Sequence, residues 1–522
     1  MSTQRDPEKA ATEDAPGDYV SRTPSAPNGA TKSELQVTHD ADDALKFVME
    51  HGVGHDTISK EESRRICRKV DFILMPLLFI TYTLNFMDKQ AISYSANFGL
   101  KTDNHLTGDQ YSWASGSIFY LAYLFAQPVM SRALQYFPIG RFVSIMVIIW
   151  GILLMCTAAS RSFGALMTVR FLLGAVESCI NPAFVLITSQ WYTRSEQPAR
   201  VSYWFIGNAI GQIIGGVIGY GIGHISYSAA GNWIWYFIIF GAITLIYGIV
   251  LLFLLPDSPM TAKWLSDKDR EIAILRTVEN RTGFVNHKWK WHQFREAILD
   301  PKTAFLFAIA LLNTIPAGAI SSYGSIVIKG FGYSSLNTTL LNMPQGAIQL
   351  VSLLFSGWFV SKFPNTRCWM MSLSQIPGLI GGILLYVLPS TNRGGKLGSF
   401  YLLSTHSVGF SILMSMLTAN YAGFTKKSTA SALIFMGWCA GQIIAPQLFE
   451  DNEAPEYRTV FLAFFVCFAL LVILPMMLQV YLMWCNKSRE RENPAAIDET
   501  LHHEELLDRT DIEQAARFRY VY

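Results

Sequence analysis

Gly207-Asn208-Ala209-Ile210-Gly211-Gln212-Ile213-Ile214-Gly215-Gly216-Val217-Ile218-Gly219-Tyr220-Gly221-Ile222-Gly223 carries a glycine at every fourth position of an apolar stretch. At 1.5 Å rise per residue, Gly207, Gly211, Gly215, Gly219 and Gly223 form one slanted ridge roughly 24 Å long, close to the depth of a bilayer's hydrocarbon core. A glycine ridge that long in an apolar helix belongs to a membrane span. It admits a second helix at close range, either as small-xxx-small packing or as a surface that slides during a transport cycle. Both readings stay open at this point.

The rest of the chain agrees with a membrane protein. Of its 522 residues 51% are hydrophobic and 15% charged. The net charge of +2 is too near neutral to point to nucleic acid. The cysteines (Cys67, Cys156, Cys179, Cys368, Cys439, Cys467, Cys485) have no CxxC spacing and lie mostly in apolar runs, so no metal site, disulfide framework or cofactor is expected. Residues 1–60 have the Pro, Ser and acid content of a disordered tail rather than a signal peptide.

Apolar runs of about 20 residues recur twelve times. The first six begin near Phe72, Trp113, Phe142, Ala165, Val201 and Trp233, and the second six near Thr303, Leu340, Trp369, Gly398, Thr429 and Thr459. Lys60, Arg64, Arg65, Arg68 and Lys69 precede the first run. Arg132, Arg141, Arg194, Arg200, Lys362, Arg367, Lys426 and Lys427 fill the even loops. The positive-inside rule then puts both termini in the cytosol. The resulting division is a tail (1–60), a six-helix half (61–255), a cytosolic connector (256–301), a second six-helix half (302–484) and a C-terminal tail (485–522), with a short helix around 502–518. In the connector, Ser266-Asp267-Lys268-Asp269 reads as a capping box opening an amphipathic helix with Ile272, Leu275 and Val278 on one face. The connector's basic residues suit anionic headgroups.

The halves repeat. Phe137-Pro138-Ile139-Gly140-Arg141 after span two matches Phe363-Pro364-Asn365-Thr366-Arg367 after span eight, and Gly207 with Gly211-Gln212-Ile213-Ile214 matches Gly437 with Gly441-Gln442-Ile443-Ile444 in span eleven. The fold class is therefore an all-α polytopic membrane protein of twelve transmembrane helices in two six-helix pseudo-repeats, with a substrate site where the halves meet.

An ionisable residue inside a span costs about 2.5–3.5 kcal/mol on insertion scales and asks for a function. Asp88 and Lys89 lie in span one, Arg170 and Glu177 in span four. The latter two are two helical turns apart, on one face, and can bracket a ligand. Lys89 and Arg170 suit an anionic group. Glu177 and Asp88 suit proton exchange, because apolar surroundings favour a neutral carboxyl. The opposing reading has the cations snorkel to the interface and Glu177 paired structurally. In the second half Asn313 and Ser321 flank Pro316 and Gly318, Gln345 follows Pro344, and His406 in span ten is either a proton carrier or a packing residue. Gln212 and Gln442 adjoin the repeated glycines.

Arg170-Phe171-Leu172-Leu173-Gly174-Ala175-Val176-Glu177, then Asn181-Pro182, Trp191-Tyr192 and Glu196, resembles the span-four signature of the anion:cation symporter branch of the major facilitator superfamily. Pro256-Asp257-Ser258-Pro259 with Trp264-Leu265 and Arg270, and Ala422 to Lys427 before Gly441 and Pro446, resemble its fungal allantoate-permease subgroup. The resemblance covers roughly residues 68–484. It implies the major facilitator fold, alternating access, and proton-driven uptake of a small organic anion such as a ureido acid, nicotinate or pantothenate across the plasma membrane, by a monomer. It also implies substrate contact for Lys89 and Arg170 and coupling for Glu177. Gly207, Gly211, Gly215, Gly219, Gly441, Gln212, Gln442, Arg141 and Arg367 are the expected packing and gating residues. Where the family's span-one motif ends Leu-Asp-Arg, this chain has Met87-Asp88-Lys89, and Lys lacks Arg's bidentate grip on a carboxylate. Export on the same scaffold and a transport-inactive sensor are the alternatives. No set of catalytic groups argues for an enzyme.

Overall fold

The computed structural model describes residues 59–193, 196–225, 231–278, 290–454, 456–492, 510–515 and 518–522. The N-terminal tail and most of the expected helix at 502–518 lie outside them. All described regular structure is helical. Eleven helices are long and apolar enough to cross a membrane. Span one runs Lys60–Ser95, span three Ile139–Thr157, span four Phe163–Trp191, span five Ala199–Gly223 and span six Trp233–Leu254. Spans seven to twelve run Pro301–Gly330, Ser335–Lys362, Arg367–Val387, Arg393–Asn420, Thr425–Gln447 and Arg458–Glu492. Span two, Ile118–Tyr136, completes the twelve. It is less apolar because Gln127, Arg132 and Gln135 interrupt it. A five-residue π-helical segment, Trp113–Ser117, leads into it.

The glycine ridge divides along its length. A Cβ on Gly207 would lie 2.9 Å from the Phe79 carbonyl oxygen, and one on Gly211 2.7 Å from that of Thr83, both in span one. In the second half Gly437 and Gly441 stand at 2.8 Å and 2.5 Å from the carbonyls of Phe307 and Leu311 in span seven. The two contacts are four residues apart in each half. The repeat seen in sequence is thus a repeat of backbone-to-backbone packing. These glycines hold span five to span one, and span eleven to span seven, inside their own halves. Gly215 meets only the flexible Met87 side chain, at 3.5 Å.

The surface between halves is one residue out of register with the ridge. A Cβ on Gly216 would meet the Thr339 carbonyl of span eight at 2.7 Å, and one on Gly346 the Ala209 carbonyl at 2.7 Å. At the end remote from the connector, Gly219 and Gly223 also reach Thr339 and Leu336. Gly207 and Gly211 are taken up by packing inside the first half, so the glycines that stand against the other half are Gly216 and Gly346, with Gly219 and Gly223 at the far end. Gly211→Leu should abolish the folded, monodisperse fraction in detergent. Gly216→Leu should leave that fraction and lower turnover severalfold by keeping the halves apart on the far side. Size-exclusion profiles with transport assays check both.

The connector departs from its expected form. Ser266 Oγ caps the helix Asp267–Val278 by accepting from the Asp269 amide at 3.3 Å, but the Asp269 carboxylate turns instead to Arg65 (2.7 Å) and Lys69 (2.5 Å) of span one. Ala273, Ile274 and Arg276 are buried, and the expected Ile272 packs partly against the core. The Arg276 guanidinium grips both oxygens of Glu196 at 2.7 and 2.8 Å. That basic residue binds protein rather than headgroups.

The described residues of the chain's end pack against the second half. Span twelve continues to Glu492, and the segment from Thr510 packs into the second half. Asp511 is fully buried between Lys302 (2.5 Å) and Lys426 (2.7 Å), and Tyr520 donates to its Oδ2 at 2.5 Å. Burial alone would raise the Asp511 carboxyl, but the two ammonium groups hold it below the usual carboxylate range. Asn420 and Asn486 each close a two-way pair with the backbone of Val521 and Tyr520 at 2.8 and 2.9 Å.

Candidate functional site

A cavity of about 120 Å³ lies between the halves at mid-depth. Its first-half wall carries Asn85, Lys89, Tyr120, Glu177, Asn208 and Gln212, and its second-half wall Asn313, Thr314, Ser321, Gln349, His406 and Gln442. Towards the connector side an aromatic floor is built from Tyr82, Tyr123, Phe205, Phe410 and Trp438. Trp438 packs edge-on to Tyr120 at 5.3 Å, and Phe205 stacks on Phe410 at 5.9 Å, so rings from both halves meet there. Asn181 joins the floor's hydroxyls by accepting from Tyr82 (3.1 Å) and donating to Tyr123 (2.9 Å). Organic substrates need several hundred Å³, so the halves must part to admit one.

Above the cavity the halves are sealed by polar contacts. Tyr111 donates to the Ser322 carbonyl (2.9 Å), Ser112 pairs with Tyr323 (2.5 Å), and Gln447 donates to Ser117 (2.8 Å). Gln212 donates to Gln345 at 2.8 Å across the same boundary. On the connector side no ion pair among the described residues joins one half to the other.

The four membrane charges form two ion pairs, and the carboxyl of Asp88 lies beside that of Glu177. Lys89 Nζ is 2.9 Å from Glu177 Oε2 and donates to Asn85 Oδ1 at 2.5 Å, while Asn85 Nδ2 donates to the same Glu177 oxygen at 2.6 Å. Glu177 Oε1 is buried with no partner. Arg170 takes a different set. Its Nε and Nη2 donate to the carbonyls of Ala114 (3.2 Å) and Ser115 (3.1 Å), and Nη1 stands 3.9 Å from Asp88 Oδ1. Ala114 and Ser115 lie in the π-helical segment, whose widened turn disturbs the usual carbonyl pairing. Asp88 also accepts from Trp150 Nε1 at 2.9 Å.

Phe119 lies beside both pairs. Lys89 Nζ is 5.6 Å from its ring centroid and Arg170 Cζ 5.5 Å. Arg170 and Glu177 do both turn towards span one, as two-turn spacing requires, but only Glu177 reaches the cavity. Asp88 and Lys89, adjacent on the helix, diverge to different partners. Neither Arg170 nor Asp88 lines the cavity, and Arg170 does not bracket a ligand with Glu177 in this arrangement.

Residues 78–446 match the sequence profile of the Major Facilitator Superfamily. The chain belongs to the major facilitator superfamily. This major facilitator is 36% identical to an uncharacterized transporter of Schizosaccharomyces pombe over 488 residues, covering 93% of this chain and 90% of that one. It is 33% identical to the allantoate permease of Saccharomyces cerevisiae over 521 residues, covering 97% and 94% of the two chains. A bacterial homologue of the human lysosomal transporter Spinster, in its inward-facing and unoccupied conformation, shares the fold with a TM-score of 0.59 at 16% identity, covering 81% of this chain and 97% of that one. The protein is a transporter, not an enzyme.

The remaining expected site residues of this major facilitator fall into two groups. Asn313, Ser321, His406, Gln212 and Gln442 line the cavity. Asn313 donates to the His406 carbonyl at 2.9 Å, and His406 Nδ1 lies 2.9 Å from the Leu403 carbonyl. Gln345 lies behind the wall, fully buried, and bridges Gln212 to the Phe400 carbonyl. Arg141 and Arg367 do not cross between halves. Arg141 pairs with Asp257 at 3.1 Å and Arg367 donates to the Ser415 carbonyl at 3.2 Å. Asp257, in the Pro256–Pro259 motif, is the carboxylate that Arg141 reaches.

Sequence reasoning passed over Asn85, Tyr120, Tyr123, Gln349 and Trp438 as site residues. Asn85 had a usable signal, being one turn before Lys89 on the same face. The aromatic residues had none, since Tyr and Trp are common throughout membrane spans.

Proposed function

We propose that the protein is a proton-coupled symporter of a small organic monocarboxylate, moving substrate from outside the cell to the connector side, which is the cytosol. The observation that carries the reading is the balanced pair in the cavity wall. Lys89 is the one cationic side chain among the lining residues, and its charge is already met by Glu177, whose Oε1 is free to take a proton. A substrate carboxylate must displace Glu177 from Lys89. That exchange leaves Glu177 as an uncompensated buried anion unless a proton arrives on Oε1, and the neutral acid then tolerates the apolar surroundings. Anion and proton bind together or not at all, and the occupied cavity keeps the net charge of the empty one.

Lys89 holds the carboxylate as a point charge, with Asn85 and Asn313 as neighbouring donors. The aromatic floor suits a planar group beyond the carboxylate, as in the ureido acids and pyridine acids that the resemblance implies. The relative named allantoate permease supports a substrate of that class. Arg170 acts at a distance from the substrate by fixing span four to span two.

The test is uptake by purified protein in vesicles. Nicotinate, pantothenate and allantoate should accumulate under an inward proton gradient, with one proton per anion and no response to an imposed membrane potential. Accumulation driven by potential without proton movement would sink the reading.

A further inference from the structure

A second recess lies away from the transport path, where span one emerges on the connector side. Arg64, Arg65, Arg68, Lys69, Phe72 and Ile73 line it, with Glu61 at its edge and Trp264 of the connector opposite, and it encloses about 630 Å³. The cations occupy steps i, i+1, i+4 and i+5 of one helix, so they form two adjacent rows on one face. Phe72 and Ile73 continue that face towards the bilayer. Phe72 is 83% exposed, which places this flank of the helix against lipid rather than protein. Trp264 stacks on Trp191 at 5.6 Å, the position of an interfacial anchor.

The charges in the recess are only partly answered. Asp269 takes Arg65 and Lys69, while Arg64 and Arg68 make no ion pair with any described residue. Four cations against Asp269 and Glu61 leave a formal excess of two positive charges. Guanidinium groups match phosphate oxygens in bidentate fashion.

We infer that this recess is a site for the headgroup of a phosphoinositide, an anionic phospholipid whose inositol carries a phosphomonoester. Arg64 and Arg68 hold the phosphomonoester, and the acyl chains run down along Phe72 and Ile73. The volume exceeds what a bare phosphate fills, the excess charge matches a polyanionic headgroup better than a singly charged one, and the exposed phenylalanine gives a contact only a lipid can use.

The full-length protein can be tested in nanodiscs of phosphatidylcholine alone, or with phosphatidylserine or phosphatidylinositol monophosphate at equal total charge. Melting temperature and lipid retention by native mass spectrometry are the readouts. The wild type should retain the phosphoinositide preferentially and melt several degrees higher with it, and R64Q/R68Q should lose both preferences. The variant's melting in phosphatidylcholine alone reports whether it is folded. Equal retention of phosphatidylserine and phosphoinositide would overturn the inference, as would a folded variant that behaves like wild type. A soluble inositol phosphate that stabilises as strongly as the lipid would assign the recess to a free ligand and overturn the lipid assignment.

Discussion

Glu177→Gln should reduce proton-driven accumulation to the level of protein-free vesicles while leaving folded yield near that of wild type. Gln keeps the shape of Glu and can still accept from Asn85, but it neither carries the proton nor balances Lys89. The ammonium then stands in the cavity wall with 17% of its side chain exposed and no counter-charge. Substrate carboxylate then supplies the counter-charge, beside the neutral Asn85. The variant should therefore bind substrate at least as tightly as wild type, exchange labelled for unlabelled substrate across the membrane, and fail to accumulate it against a gradient. Counterflow and pH-jump uptake on the same vesicles separate these outcomes. Normal pH-driven accumulation by the folded variant would remove Glu177 from the coupling step.

Arg170→Ala should fail in another way, by loss of folded protein. Arg170 is 2% exposed and holds three partners on spans one and two, and its removal strands Asp88, which is 1% exposed. Breaking a buried ion pair from one side costs about 3–5 kcal/mol. That is a large share of the 5–15 kcal/mol that ordinarily separates folded from unfolded states. Trp150 donates a single hydrogen bond to Asp88 and cannot replace the charge. Adding Asp88→Asn should recover much of the yield, because the orphaned anion is then gone. Thermal unfolding of the two variants in detergent measures the difference. If Arg170→Ala melted like wild type and lost substrate affinity instead, Arg170 would belong to the substrate site after all.

The two predictions differ because the arrangement splits charges that look alike in the sequence. Each is an ionisable residue in an apolar span, and insertion cost ranks them equally. What distinguishes them is the π-helical turn before span two, whose carbonyls receive Arg170, while Lys89 and Glu177 face the cavity. A π turn has no sequence signature, since it follows from local packing rather than composition.

The glycine ridge is the opposite case. Its four-residue period announced close helix packing, and its repeat in span eleven announced that the packing occurs twice. The contacts with Phe79 and Thr83, and with Phe307 and Leu311, follow that pattern residue for residue. Which glycine faces the other half was not legible, because Gly216 and Gly346 stand outside the period and matter only through a partner more than a hundred residues away.

Composition and period alone thus determined the membrane class, the twelve spans, the duplicated halves and the charges that needed a purpose, because each depends on transfer energy or helical geometry within a single segment. Only the tertiary structure decided that Lys89 pairs with Glu177 and Arg170 with Asp88, that Asp511 returns to fill the gap between Lys302 and Lys426, and that the halves meet at Gly216. Those choices rest on distances between segments far apart in the chain, which a helix's own periodicity leaves free.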